Sequence, residues 1–121
     1  MGEIFVFGSN LAGRHGKGAA LYAKKHYGAI YGQGIGLQGS SYAIPTKDKH
    51  LHTLDLEKIK VYVNEFINVV KNNPDKIFLI TPVGCGLAGY KYKTIAPLFK
   101  DALQLPNAKL PQEFLCILNN N

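Results

Sequence analysis

The chain has 121 residues, 46% of them hydrophobic and 18% charged, which is enough for one domain with a continuous core and too little for two. That balance excludes a disordered chain, no apolar run approaches the roughly 20 residues that cross a bilayer, and the first residues carry neither a basic segment nor a cleavage signal, so the expectation is a soluble cytoplasmic protein with no membrane partner. A net charge of +6 suits an anionic partner, and it is unevenly placed: no carboxylate lies between Glu3 and Asp48, nor between Asp75 and Asp101.

Residues 3–7 (EIFVF) are an apolar, aromatic and β-branched run stopped by Gly8, which predicts a buried strand. The glycines Gly8, Gly13, Gly16 and Gly18 then lead into AALYAKKHY, a stretch of good helix formers, giving strand, glycine loop, helix. Residues 28–39 hold five glycines and no periodic stripe, which predicts an irregular loop, and residues 41–44 predict a short strand ended by Pro45. From Asp55 onward Leu56, Ile59, Val63, Phe66, Ile67 and Val70 recur at helical spacing, until Asn72, Asn73 and Pro74 stop the helix. Residues 77–81 (IFLIT) predict another buried strand, which runs into PVGCGLAGY. Thr94 is placed to cap a last helix reaching about Leu103 with Pro97 in its first turn, and residues 114–118 (FLCIL) predict a final strand. The alternation of strands and helices predicts a single three-layer α/β/α domain over 1–121, its sheet mixed and mainly parallel with helices on both faces.

In open α/β sheets, ligands sit beyond the carboxyl ends of strands, where loops converge and helix N-termini present backbone N–H groups. Residues 8–18 and 84–89 both follow predicted strands, are rich in glycine and lie in the two stretches without carboxylates, with Arg14, Lys17, Lys47, Lys91 and Lys93 around them. Glycine lets amides approach an anion closely, so the two loops together point to a phosphate-bearing, nucleotide-like ligand. Neither is a standard phosphate motif: GRHGKGAA has no Walker pattern and GQGIG lacks GxGxxG spacing after a strand. No metal or cofactor is expected, because Cys85 and Cys116 lack metal spacing and His50 with His52 has no third ligand. Cys85 lies where a helix start and basic neighbours would favour a thiolate, but no histidine is spaced to act as its base, so it reads as a small residue shaping the loop. Tyr31, Tyr90 and Tyr92 are candidates to border the pocket.

Taken in order, GSNLAGRHGKGAALYAKKHYG after the first strand, SYAIPTK at a strand end and ITPVGCGLAGY resemble the macrodomain family, which binds ADP-ribose. The resemblance covers roughly residues 4–100 and is nearest to the branch that removes ADP-ribose from protein carboxylates. It implies a macrodomain-like fold. It further implies that the loop matching Gly84, Cys85, Gly86, Leu87, Ala88, Gly89 and Tyr90 wraps the diphosphate. The loop matching Asn10 to Ala19, with Gly13, His15, Gly16 and Gly18, would cover the distal ribose, Asn10 and His15 being side chains able to reach hydroxyls or phosphate, and Gly8 and Ser9 at the strand end are further candidate ligand contacts. The branch's reactive lysine matches Lys47, beside Thr46 at the end of YxIxTK, while the aspartate that partners it is here Ala88. The acidic residue that reads the adenine amine in many macrodomains also has no match. Two functions therefore stay open: a binding module acting as reader, carrier or sponge of an ADP-ribose-type signal, free or attached to a macromolecule, and a hydrolase using Lys47 and a water, with Asp48 as a substitute acid. Nucleic-acid binding, a third class, rests on net charge alone.

Overall fold

The computed structural model describes residues 2–120. Its central strand, β1 (Glu3–Asn10), pairs in parallel with β3 (Ser41–Lys47) on one side and with β4 (Ile77–Ile80) on the other. β2 (Gly36–Gln38) lies antiparallel along β3, and β5 (Ala108–Lys109) runs parallel to β4, giving a five-stranded mixed sheet in the order β2-β3-β1-β4-β5. Four helices pack on it: α1 (Gly18–His26), α2 (Leu56–Lys71), α3 (Tyr92–Ile95), which continues as a 3₁₀ helix over Ala96–Gln104, and α4 (Gln112–Leu118).

Both faces of the sheet are covered because β1 is apolar on both sides of its pleat from Ile4 to Phe7. Ile4 and Val6 enter a large core with Tyr42, Ile44, Phe78 and the stripe of α2, while Phe7 faces a smaller cluster with Ala20 and Ala23 of α1 and Ala43 of β3. That two-sided burial is what a parallel, helix-covered strand requires. The α2 stripe predicted from spacing is buried at Ile59, Val63, Phe66, Ile67 and Val70, and Asp55 caps the helix by accepting from the Lys58 N–H at 3.0 Å. Phe66 is the pivot of this core, its ring 5.0 Å from Tyr42, 5.7 Å from Phe78 and 6.3 Å from Phe99.

Five local expectations are corrected. The first strand is not stopped by Gly8: β1 runs on to Asn10, with Gly8 and Ser9 still paired to β3. Residues 114–118 are helical, not a strand: Phe114 of α4 packs on Phe99 at 5.4 Å, and the edge beside β4 is taken by β5 instead. β3 does not stop before Pro45 but runs to Lys47. β2 pairs only with Ser41 to Ala43, and the β1 register shifts between Ser9 and Asn10, so Pro45 sits where an imino residue disturbs the ladder least. Part of the 28–39 loop is the strand β2. The last helix starts after Lys91 rather than at a Thr94 cap, placing Thr94 inside its first turn.

Candidate functional site

The strand order changes direction at β1: the chain leaves it through α1 to reach β3 on one side, then crosses through α2 to reach β4 on the other. Such a switch leaves a crevice beyond the carboxyl ends of the diverging strands. Here it is a cavity of about 810 Å³, within the range that holds small ligands and cofactors, floored by Gly8, Ser9, Thr46 and Thr81. Strand and loop approach closely here: a β-carbon on Gly8 would stand 3.4 Å from the Gly84 nitrogen, an ordinary van der Waals contact.

The first wall is the loop after β1. Asn10 shapes it: its Oδ1 accepts from the Arg14 N–H at 2.9 Å and its Nδ2 donates to the Arg14 carbonyl at 3.0 Å, pinching residues 10–14 into a closed turn. The Asn10 amide expected to read ribose hydroxyls is thus engaged with its own loop, although the residue borders the cavity. His15 is corrected more strongly. Its ring is fully buried behind the wall, with Nε2 between the Gln33 carbonyl at 2.9 Å and Gln38 Oε1 at 3.2 Å, and it does not reach the cavity. Both partners are acceptors, so Nε2 carries the hydrogen. Gly13 also lies outside, with its α-carbon against the Gly32–Gln33 peptide. Gly16, Gly18 and Ala19 line the cavity as expected from the loop. No side chain caps α1 and no acid stands in its first turn, so its leading N–H groups are left for a ligand.

The second wall is the loop after β4. Thr81 anchors it by donating Oγ1–H to the Val6 carbonyl at 2.7 Å. Successive tight turns then use the Val83, Cys85, Gly89 and Tyr90 N–H groups internally. Among the described residues, the N–H groups of Gly84, Gly86, Leu87 and Ala88 have no protein acceptor. The far end is tied down from outside: Thr53 donates to the Ala88 carbonyl at 3.1 Å and the Tyr90 hydroxyl to the Leu54 carbonyl at 2.6 Å. Gly84, Cys85, Gly86, Leu87 and Ala88 therefore line the cavity, whereas Gly89 and Tyr90 hold the loop in place without bordering it. The two walls nearly meet, because a β-carbon on Gly18 would lie 3.9 Å from Leu87 Cδ1.

Compared with family models, curated proteins and solved structures, the chain matches none. Its chemistry is therefore read from the site itself.

Arg14, Lys17 and Lys47 stand in the wall, and none of the chain's eight carboxylates does. Asp48, adjacent to Lys47, faces the other way. Its Oδ1 accepts from the His52 N–H at 2.9 Å and the His50 N–H at 2.8 Å, and those backbone bonds, that of His52 first, hold its carboxyl below the usual range. It is not placed as an acid for Lys47. Cys85 is a thiol rather than a thiolate: burial pushes its pKa up to about 11, with the charge of Glu113 adding to the effect. Among the described residues no three His, Cys, Asp or Glu side chains gather as a metal would need, and no helix is long and apolar enough to cross a membrane.

Some wall residues escaped the sequence reading. Ala20 and the Thr81-Pro82-Val83 segment continue elements already identified, whereas Leu51 arrives from a loop distant in sequence; Tyr31 and Tyr92, named as candidates to border the pocket, do line the cavity. Tyr31 is placed by the 28–38 loop folding under the first wall, a long-range contact that no local pattern announces.

Proposed function

We propose that this chain binds a nucleotide-type ligand carrying a diphosphate, of the ADP-ribose class. One observation carries the reading: a cavity at the switch point offers unpartnered backbone N–H groups from two loops and three cationic side chains, with no carboxylate to repel an anion. A diphosphate bridging the loop after β4 and the start of α1 would accept from both. The order of glycine loops along the chain and their resemblance to the macrodomain family support the same ligand class, in a macrodomain-like arrangement of the sheet. Lys47 borders the cavity, but Asp48 is turned away and Ala88 supplies no acid, so binding without turnover is the reading these residues favour.

Calorimetric titration with ADP-ribose tests it. Binding should also raise stability by RT ln(1 + [L]/Kd), about 2.7 kcal/mol at 100-fold excess over Kd. No heat and no thermal shift with ADP-ribose, in a folded protein, would remove the proposal.

A further inference from the structure

We infer that Leu51 is a ligand-contacting residue: the turn after β3 forms a third wall of the cavity, held in a conformation that disfavours leucine so that an apolar side chain meets the sugar or base carbons beyond the diphosphate. The inference rests on the reading of the cavity as a diphosphate site and adds a specificity-determining contact to it.

The first observation concerns the backbone. Among the described residues Leu51 alone, glycines apart, has a positive φ, +67°. L-residues with a bulky side chain avoid that region because the β-carbon crowds the following carbonyl. The turn explains the angle. The Leu51 N–H donates to the Asp48 carbonyl at 3.1 Å and the Asp48 N–H to the His52 carbonyl at 2.8 Å, a β-turn followed by a left-handed residue before the chain runs back toward β3. Glycine is the usual occupant of such a position.

The conformation is fixed by several bonds at once. Asp48 Oδ1 accepts from the His50 and His52 N–H groups, Lys47 bridges Thr53 across the base of the turn, and the Leu54 N–H donates to the Thr46 carbonyl at 2.8 Å. Thr53 also donates to the Ala88 carbonyl, which ties this turn to the loop after β4. Strained residues persist where their surroundings over-determine them, and they gather at ligand sites. Core packing does not account for this one: Leu51 is 40% exposed and belongs to neither core cluster. Its side chain instead lines the cavity on the same turn as Lys47. The Leu51 N–H is used within the turn, so the residue brings no main-chain donor for phosphate, and its side chain is apolar. Such a surface suits the C–H face of a sugar or base rather than a charged oxygen. Beside two walls that hold phosphate, this third one favours a diphosphate that carries an organic group.

The test titrates ADP-ribose by calorimetry into the wild-type chain and into Leu51→Ala, Leu51→Gly and Leu51→Met proteins, with a melting curve of each. Affinity should follow the reach of the side chain. Ala and Gly should weaken binding by about 3- to 8-fold, the share of a leucine's burial that its open 40% represents, and Met should stay within about 2-fold of wild type. Stability should follow the backbone instead: Leu51→Gly should melt about 3–6 °C above Leu51→Ala, because glycine accepts the positive φ. The loss of affinity should be the same at 50 and 200 mM salt, since an apolar contact is not screened; a loss that shrinks with salt would trace to a displaced Lys47 and overturn the inference. Wild-type affinity in Leu51→Ala, a loss that Leu51→Met does not repair, or a Leu51→Gly protein that melts no higher than Leu51→Ala also overturns it, while ADP-ribose binding and the proposed function stand. If the folded wild-type chain binds no ADP-ribose, the proposed function falls and this contact falls with it.

Discussion

Gly34 and Asn10 are packed back to back: a β-carbon on Gly34 would lie 2.2 Å from the Asn10 carbonyl oxygen, which belongs to the backbone and cannot swing aside. The 28–38 loop is thereby wedged beneath the wall that Asn10 closes. Gly34→Ala should force the two segments apart and destabilise by about 1–3 kcal/mol or more, as overpacking does. Gly16→Ala, where a β-carbon meets nothing within 4 Å, is the control and should change stability by no more than about 0.5 kcal/mol. Urea denaturation of both variants gives the comparison, and equal midpoints would contradict the wedge.

Gly86 provides the complementary case. It has open space around its α-carbon and lies on the cavity side of the loop after β4. Gly86→Leu should therefore fold with an unchanged melting temperature but hold a ligand's phosphates away from the amides, lowering affinity for ADP-ribose by about 100-fold, the equivalent of losing two or three hydrogen bonds at roughly 1 kcal/mol each. Unchanged affinity by calorimetry would take the loop out of the binding site.

How far the sequence led depends on how local each signal is. The α2 helix was legible because its apolar stripe and the Asn-Pro stop that follows it are local signals. The two walls were legible for a similar reason: glycines follow strands whose ends must meet at the switch point, and carboxylates are missing from the same stretches. Residues 114–118 failed because a short apolar run has no period long enough to separate strand from buried helix; Pro111 at the N-cap and Glu113 in the first turn were the available signals. His15 failed differently. A histidine among glycines looks like a ligand contact, and only the distant Gln33 and Gln38 reveal that it is a buried support for the wall.

Charge in the wall sets a further expectation. Lys47→Ala or Arg14→Ala should each weaken ADP-ribose by roughly 10- to 100-fold, the 1.5–3 kcal/mol of a hydrogen bond to a charged group. Raising salt from 50 to 200 mM should cost the wild-type complex far less than the roughly 10³- to 10⁵-fold expected of a protein covering 6 to 10 nucleic-acid phosphates. A steep slope with oligonucleotides, together with no binding of the small nucleotide, would instead identify a nucleic-acid surface.

The two thiols should behave unequally. Cys116 is exposed, whereas Cys85 is half-buried and its pKa is raised to about 11 from an ordinary value near 9. At pH 8 Cys116 should react with iodoacetamide first and Cys85 slowly, as mass spectrometry of the digested protein would show. The sign for stability follows. A folded-state pKa above the unfolded value means that Cys85 contributes stability below about pH 9, and that this is lost as pH rises through about 11. Cys85→Ala should flatten the alkaline side of the stability profile. A Cys85 that is alkylated faster than Cys116 would show that its thiolate is favoured.

The last expectation separates binding from catalysis. Lys47 is placed at the end of β3 on the cavity wall, where a reacting group would need to be. A lysine acting there requires a neighbour to take or supply a proton, and such assistance is typically worth about 10²- to 10⁴-fold in rate. The adjacent carboxylate is unsuitable for a structural reason: Asp48 holds the turn back to His52 through two backbone N–H groups, and reaching the cavity would mean giving up both. The wild-type protein should therefore bind an ester-linked ADP-ribosyl substrate and release it unchanged. Ala88→Asp places a carboxylate in the wall, which should weaken ADP-ribose by like-charge repulsion while raising the rate of ADP-ribose release from that substrate. The paired measurement is decisive, since a merely damaged site would lose affinity and gain no rate. Rapid release by the natural sequence, abolished in Lys47→Ala and retained in Asp48→Asn, would establish instead that Lys47 works without either acid and that the chain is a hydrolase.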